Sequence, residues 1–85
     1  MSSRIEIYTQ PDCPLCDEAK EKLAFVCNSF NLTFSEIDIH NQDSLLEAYL
    51  IRVPVIKING HEIAEGNVYM HEIEDSVKKF CFENG

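Results

Sequence analysis

The segment Cys13-Pro14-Leu15-Cys16 places two thiols with two residues between them, shortly after a strand-like stretch at residues 4–8. Proline suits the first position of a helix, where its fixed φ fits and its missing N–H is not needed, so Pro14 predicts a helix start with Cys13 as N-cap. The free amides of a first helical turn and the positive end of the helix dipole stabilise a thiolate. The sequence therefore predicts that Cys13 is the reactive thiol and Cys16 the more buried one.

A Cys-x-x-Cys segment can also contribute to a zinc site or form a permanent disulfide. A structural zinc site needs four ligands and usually shows a second closely spaced Cys or His pair, and this sequence contains none. A permanent disulfide across so small a loop removes little entropy from the unfolded chain, so it is the weaker alternative. Cysteines three positions apart in a first helical turn are close enough to alternate between dithiol and disulfide. The spacing thus favours a redox-active pair without a metal.

Composition limits the classes of protein to which the chain can belong. Its 85 residues, 45% of them apolar, suit one small domain over residues 1–85. The net charge of −8 argues against binding to nucleic acids and anionic membranes. No apolar run approaches membrane-spanning length, and Met1-Ser2-Ser3-Arg4 lacks the hydrophobic segment of a signal peptide, which predicts a cytoplasmic protein. In that compartment a Cys-x-x-Cys pair beside a strand-helix-strand pattern indicates redox activity.

Hydrophobic periodicity predicts two parallel strands joined by a helix in the first half of the chain. Residues 4–8 and 33–39 have strand character, and apolar spacing from residue 14 to about residue 30 predicts the helix between them. A short helix is predicted from residue 45 to about residue 51, with Ser44 and Glu47 in capping-box spacing.

In the second half, Asn59-Gly60 separates two β-like runs, residues 55–58 and 61–64, and predicts a hairpin. Asn67 is the predicted N-cap of a last helix from residue 68 to about residue 82. The predicted element order is β-α-β-α-β-β-α.

The remaining cysteines and the histidines are assigned structural roles. Cys27 and Cys81 fall on the apolar faces of the first and last helices, which predicts small buried hydrophobic residues, with a regulatory disulfide as the lesser alternative. His40, His61 and His71 lie on separate elements without ligand spacing and are predicted to be surface residues.

Together these motifs resemble the glutaredoxins of the thioredoxin-like superfamily, over essentially the whole chain. The similarity rests on the strand ending Tyr8-Thr9, the Cys-Pro-Leu-Cys motif, Val53-Pro54, and Gly66 before the last helix. The segment from Cys13 to Ala19, with Arg52-Val53-Pro54-Val55, is similar to a small glutaredoxin-like subgroup. The resemblance implies an α/β thioredoxin-like fold with a mixed four-stranded sheet in the order 2-1-3-4 and helices on both faces. It also implies a cis peptide at Val53-Pro54, beside backbone that pairs with an extended substrate.

The same resemblance implies a thiol-disulfide oxidoreductase. Cys13 attacks a substrate disulfide and Cys16 resolves the mixed disulfide, while Pro14, Tyr8 and Gln10 support the site. The expected substrates are disulfide-containing proteins or glutathione, and the expected electron donor is glutathione or a thioredoxin-type reductase. No bound cofactor is needed, and a monomer is expected. The alternatives are a module that binds a metal or iron-sulfur cluster through Cys13 and an external thiol, and a redox-inert adaptor that holds a partner at Val53-Pro54.

The chain departs from glutathione-using glutaredoxins at two positions. Such proteins typically carry a lysine where this chain has Gln10, and a Gly-Gly followed by an acidic residue where it has Gly66-Asn67-Val68. Arg52 either replaces one of these handles by binding a carboxylate or is a solvated surface residue. Asp12, next to Cys13, opposes thiolate formation and repels an anionic thiol substrate. These departures predict weak use of glutathione.

Overall fold

The computed structural model describes residues 3–82, so residues 83–85 of the predicted domain lie outside the described residues. Met1 and Ser2, half of the N-terminal stretch used to predict the compartment, also lie outside them. The described part forms four strands, three α-helices, a 3-10 turn and a π-helical segment. In chain order they are β1 Ile5–Thr9, α1 Pro14–Ser29, β2 Ser35–Asp38, the 3-10 turn Ile39–Asn41, α2 Asp43–Tyr49, β3 Val55–Ile58, β4 His61–Glu65, α3 Met70–Val77 and the π-helical segment Lys78–Phe82.

The strands form one mixed sheet in the order β2-β1-β3-β4, which confirms the predicted fold class. β1 is parallel to β2 and antiparallel to β3, and β3 is antiparallel to β4. Tyr8 therefore lies opposite both Ile37 and Val55, and Val55 lies opposite Glu65. This register brings the ends of β1, β2 and β4 and the beginning of β3 to one edge of the sheet. We call it the Cys13 edge, because β1 leads from it directly to Cys13.

Side-chain alternation along the strands separates two hydrophobic cores. Ile5 and Ile7 pack in the larger core, with α1 residues such as Leu23 and α3 residues such as Ile73. Tyr8 points to the other face, where Tyr49 of α2 and neighbouring apolar residues cover it in a smaller core. The sheet thus has helices on both faces, as predicted.

The observed second strand is shorter than the predicted one, residues 33–39. Pairing with β1 begins at Ser35, opposite Glu6, so the chain before Ser35 approaches the sheet without joining the ladder. The strand ends at Asp38 because its carboxylate accepts a hydrogen bond from the His40 amide at 2.9 Å and starts the 3-10 turn. Ile39 is fully buried in that turn.

The start of α2 differs from its prediction. Gln42 is the N-cap, and its carbonyl oxygen accepts hydrogen bonds from the Leu45 and Leu46 amides at 3.1 Å. Ser44 lies inside the first turn, so the predicted capping box of Ser44 and Glu47 is wrong.

The start of α3 differs as well. It is capped at Tyr69 instead of Asn67, and the Tyr69 amide donates to the Glu72 carboxylate at 3.0 Å. Val68 precedes the helix, yet it is only 3% exposed. Val68 is apolar because it packs in the core and not because it is part of the helix.

The hairpin predicted from Asn59-Gly60 is confirmed. Both residues have positive φ, 52° and 85°, as a type I′ hairpin turn requires. Further along β4 the ladder is irregular: Lys57 lies opposite Glu62, but Ile56 lies opposite Ala64, so Ile63 is the extra residue of a β-bulge.

The cysteines outside the motif differ in burial. Cys27 is 2% exposed in the larger core, which confirms the prediction for that residue. Cys81 is only half-buried, at the edge of the same core, so the prediction of full burial is wrong for Cys81. The three histidines, His40, His61 and His71, are exposed, as predicted.

Burial raises the pKa of the Cys27 thiol to about 11, with a smaller contribution from the neighbouring Cys81. An unfolded cysteine titrates near pH 8.5, so above that pH ionisation favours the unfolded chain until the folded thiol also ionises. Between pH 8.5 and 11, we expect the free energy of unfolding of the wild-type chain to fall by about 3 kcal/mol more than that of Cys27→Ala. Urea unfolding with a reductant present, at neutral pH and at pH 10–11, measures the difference. Equal losses in both proteins would contradict it.

Candidate active site

Cys13 is the N-cap of α1, with extended backbone (φ −124°, ψ 98°), and Pro14 begins the helix. The Cys13 sulfur accepts a hydrogen bond from the Cys16 amide at 3.2 Å, and its carbonyl oxygen accepts one from the Asp17 amide at 3.1 Å. The predicted N-cap position is therefore confirmed. An amide of the first turn points at the sulfur, where it stabilises negative charge.

The sulfurs of Cys13 and Cys16 are joined in a disulfide, with their Cα atoms 5.2 Å apart. Cys16 is 2% exposed and packs inward, whereas Cys13 is half-buried and accessible from solvent. Leu15, between the two cysteines, is 43% exposed. An incoming thiol or disulfide thus reaches Cys13 before Cys16.

The turn that leads from β1 to α1 passes through Gln10, Pro11 and Asp12. Asp12 adopts a left-handed conformation (φ 56°), which aspartate tolerates better than most residues. Its exposed carboxylate lies next to Cys13 in the chain. The charge works against a thiolate at Cys13, while the helix terminus works in its favour.

Val53 and Pro54 precede β3 at the Cys13 edge, and the peptide bond between them is cis, as the resemblance implied. Gly66 follows β4 at the same edge, and its amide donates a hydrogen bond to the Pro54 carbonyl oxygen at 2.8 Å. Gly66 has a φ of 68°, a left-handed conformation in which most side chains would be strained. The glycine therefore ties the loop after β4 to the loop before β3.

Arg52 is held by two carboxylates of β4. Its guanidinium bonds Glu62 and also Glu65, the latter at 2.9 Å. The hydrogen bond from Arg52 lowers the pKa of Glu65. Arg52 is thus neither a bare solvated residue nor a free cation: a ligand carboxylate would have to compete with both glutamates.

The face of the sheet under this ion cluster carries an aromatic pair. The rings of Tyr8 and Tyr49 lie 4.8 Å apart, and Lys57 sits over both rings at 5.1 and 5.2 Å. Arg52 lies over Tyr49 at 5.2 Å. Burial, followed by the charge of Glu6, raises the pKa of Tyr8, and a hydrogen bond to Tyr49 raises the pKa of Lys57. Tyr8 therefore lies near the end of β1 on the face of the sheet opposite α1.

The predicted site residues thus fall into two groups. The first group lies around the β1–α1 connection: Tyr8 near the end of β1, Gln10 and Cys13 in the connection, and Pro14 and Cys16 in the first turn of α1. The other group, Arg52, Val53, Pro54 and Gly66, lies at the same edge of the sheet through the register of β1, β3 and β4.

Four residues that surround Arg52 and Tyr8 were not predicted from the sequence: Glu62, Glu65, Tyr49 and Lys57. In a regular hairpin, side chains three residues apart face opposite sides of a sheet. The bulge at Ile63 places Glu62 and Glu65 on the same side, because their partners Lys57 and Val55 share that side. The two glutamates of β4 are visible in the sequence, but their shared contact with Arg52 can be predicted only if the bulge is known.

Arg52→Ala should raise the pKa of Glu65 toward that of an ordinary glutamate, because the hydrogen bond that stabilises the carboxylate is lost. In the native protein this interaction is present at neutral pH and disappears as the pH falls through the lowered pKa of Glu65. Carboxyl-carbon NMR titration measures the shift. Arg4→Ala is the matched control, since Arg4 pairs with Glu6 at the opposite end of the sheet. An unchanged Glu65 titration in Arg52→Ala would contradict the assignment.

Within residues 3–82, no three His, Cys, Asp or Glu side chains are grouped closely enough to hold a metal ion. None of the helices formed by these residues combines the length and apolar character needed to cross a membrane.

The chain is similar to known proteins over most of its length. The family described as Glutaredoxin-like domain (DUF836) matches residues 4–79. Among solved structures, a structural-genomics target protein from X. campestris is 28% identical, with a TM-score of 0.75 over 87% of this chain and 95% of that one. A protein from Nitrosomonas europaea is 20% identical (TM-score 0.74; 89% and 92% covered), and thioredoxin 1 from Thermosipho africanus is 21% identical (TM-score 0.67; 91% and 92% covered). The last two similarities show the fold alone. With the Cys13–Cys16 pair at the start of α1 and the family match over residues 4–79, this chain belongs to the glutaredoxin-like family of thioredoxin-fold proteins.

Proposed function

We propose that this protein is a thiol-disulfide oxidoreductase that reduces disulfides through a Cys13/Cys16 dithiol cycle. The observation that carries the proposal is the asymmetry of the pair. Cys13 is half-buried, and its sulfur accepts a hydrogen bond from the Cys16 amide. Cys16 itself is buried, one turn further along α1. This asymmetry distinguishes a nucleophile from a resolving thiol.

The cycle begins with both cysteines reduced. The Cys13 thiolate attacks one sulfur of a substrate disulfide, the substrate S–S bond breaks, and the other substrate sulfur leaves as a thiolate. Cys16 then loses its proton and attacks the Cys13 sulfur, which releases the second substrate thiol. The two electrons that reduce the substrate come from the two cysteines, which end as the Cys13–Cys16 disulfide.

The first turn of α1 favours the first step of this cycle. The Cys16 amide, 3.2 Å from the Cys13 sulfur, donates a hydrogen bond that is stronger to a thiolate than to a thiol. The helix dipole acts in the same direction. Asp12 opposes both effects, so the reactivity of Cys13 reflects their balance.

The proposal extends to partners. The acceptors are disulfide-containing proteins or glutathione disulfides, and no cofactor is bound because the sulfurs carry the electrons. The donor is glutathione or a thioredoxin-type reductase. We favour the reductase, because Gln10 lacks a charge and Arg52 is already bonded to Glu62 and Glu65. We propose that the protein acts in the cytoplasm, where such donors keep the cysteine pair reduced. We also propose that it acts as a monomer.

The test follows reduction of a protein disulfide by the full-length protein with each donor system separately. One system contains glutathione and glutathione reductase, and the other contains thioredoxin reductase. Turnover with either supports the proposal, and the faster system identifies the donor. The proposal is overturned if the protein is inactive in both systems. It is also overturned if the purified protein has the colour of an iron-sulfur cluster and shows no reversible two-electron titration.

A further inference from the structure

A second pair of thiols lies in the larger core, away from the active site. Cys27 is buried on the last part of α1, eleven positions after Cys16, which corresponds to roughly 16 Å along the helix. Cys81 lies in the π-helical segment Lys78–Phe82 and packs against the core cluster that contains Cys27. Both cysteines are free thiols.

Neighbouring contacts hold the π-helical segment close to the end of α1. The rings of Phe30 and Phe82 lie 5.5 Å apart. Phe30 comes three residues after Cys27, and Phe82 comes directly after Cys81. On the other side of the segment, the Asn59 side chain donates to the Phe80 carbonyl oxygen at 3.3 Å. These contacts position Cys81 toward the core that buries Cys27.

The two thiols differ in access in the same way as the active-site pair. Cys81 is half-buried and open to a small reagent, whereas Cys27 is 2% exposed. The pKa of Cys27, raised to about 11 by burial and by the neighbouring Cys81, leaves it protonated at neutral pH. Cys81 is therefore the thiol that an external reagent meets first.

We propose that Cys27 and Cys81 are a second redox pair, in which a low-molecular-weight disulfide modifies Cys81 and Cys27 resolves the adduct. The Cys81 thiolate attacks the disulfide RSSR, which forms a Cys81–SR bond and releases RS⁻. Cys27 then loses its proton and attacks the Cys81 sulfur, which forms the Cys27–Cys81 disulfide and releases RSH. The two cysteines are oxidised and one external disulfide is reduced to two thiols.

The new disulfide would link α1 to the C-terminal segment without direct exchange with Cys13 or Cys16. A separation of roughly 16 Å along one helix is far beyond the length of a disulfide bond. The pair would thus respond to oxidising conditions separately from the catalytic cycle, and its failure would leave the proposed function intact.

The test uses the full-length, reduced protein and excess hydroxyethyl disulfide, a neutral reagent that the acidic surface does not repel. Samples are alkylated over time and digested with trypsin without reduction. Cleavage after lysine and arginine separates the motif (residues 5–20) from Cys27 (residues 23–52) and from Cys81 (residues 80–85). We expect a transient adduct on the 80–85 peptide, followed by a disulfide between the 23–52 and 80–85 peptides. Before oxidation, alkylation of Cys81 should be at least about tenfold faster than that of Cys27.

Two variants sharpen the result. In Cys27→Ala the adduct on Cys81 should persist, and in Cys81→Ala the Cys27 thiol should remain unmodified. A stable adduct on Cys81 in the wild-type chain, or a link from Cys81 to the 5–20 peptide, would overturn the proposal. The wild-type time course decides even where a core variant fails to fold.

Discussion

Cys13→Ser is expected to lower disulfide reduction by roughly a thousandfold or more, because it removes the group that forms the covalent intermediate. Cys16→Ser should instead accumulate a mixed disulfide between Cys13 and the substrate, because the attack can occur but the resolution cannot. The reason is the geometry of the pair: the half-buried Cys13 sulfur faces the first turn of α1, and Cys16 is 2% exposed. Mass spectrometry of the non-reduced protein after a single turnover measures the trapped species.

Cys27→Ala is the matched control for these variants. It also removes one thiol from α1, but the thiol lies in the core and takes no part in the proposed cycle. It should keep its turnover. The division of roles is wrong if mildly acidic alkylation of the reduced protein labels Cys16 faster than Cys13, or if Cys13→Ser traps substrate as readily as Cys16→Ser.

Gln10→Lys is expected to increase glutathione-dependent turnover by about tenfold, most clearly at low ionic strength. A lysine there would supply one of the two charged handles that the resemblance assigns to glutathione-using proteins. Each missing charge-assisted hydrogen bond costs on the order of 1.5–3 kcal/mol when desolvated and less when exposed. The two together are expected to weaken glutathione binding by roughly tens to a few thousandfold.

The measurement is the rate of reduction of a glutathione mixed disulfide at two salt concentrations. Asn28→Lys is the matched control: it adds the same charge at an exposed position on the distant half of α1, and should change the rate little. Vigorous turnover by the wild-type chain, with no gain from Gln10→Lys, would show that Arg52 or backbone contacts are sufficient. Arg52 would then have to exchange Glu62 and Glu65 for a glutathione carboxylate.

The position of Cys13 at the start of α1 was predictable from sequence because its signals are local. Pro14 can begin a helix, and the cysteine that precedes Pro14 can cap that helix. The N-cap geometry therefore follows from neighbouring residues. Asn59-Gly60 defines the hairpin for the same reason, since both positions need positive φ. Strand and helix periodicity predicted the element order, and the family resemblance implied the sheet order that the structure shows. Element ends were less accurate: the start of β2 depends on pairing with β1, and Val68 is buried before α3 begins.

By itself, then, the sequence determined the element order, the helix start at Pro14 and the placement of two unequal thiols at that start. Only the tertiary structure decided what surrounds them. The bulge at Ile63 turns Glu62 and Glu65 to one side of the sheet, where both bind Arg52, and no local pattern in β4 predicts it. Likewise, Lys57 reaches Tyr8 and Tyr49 only because β3 lies between β1 and β4 and α2 folds back over it. A cap or a turn depends on a few adjacent residues, whereas the partners of Arg52, like those of Cys27, depend on how distant segments pack.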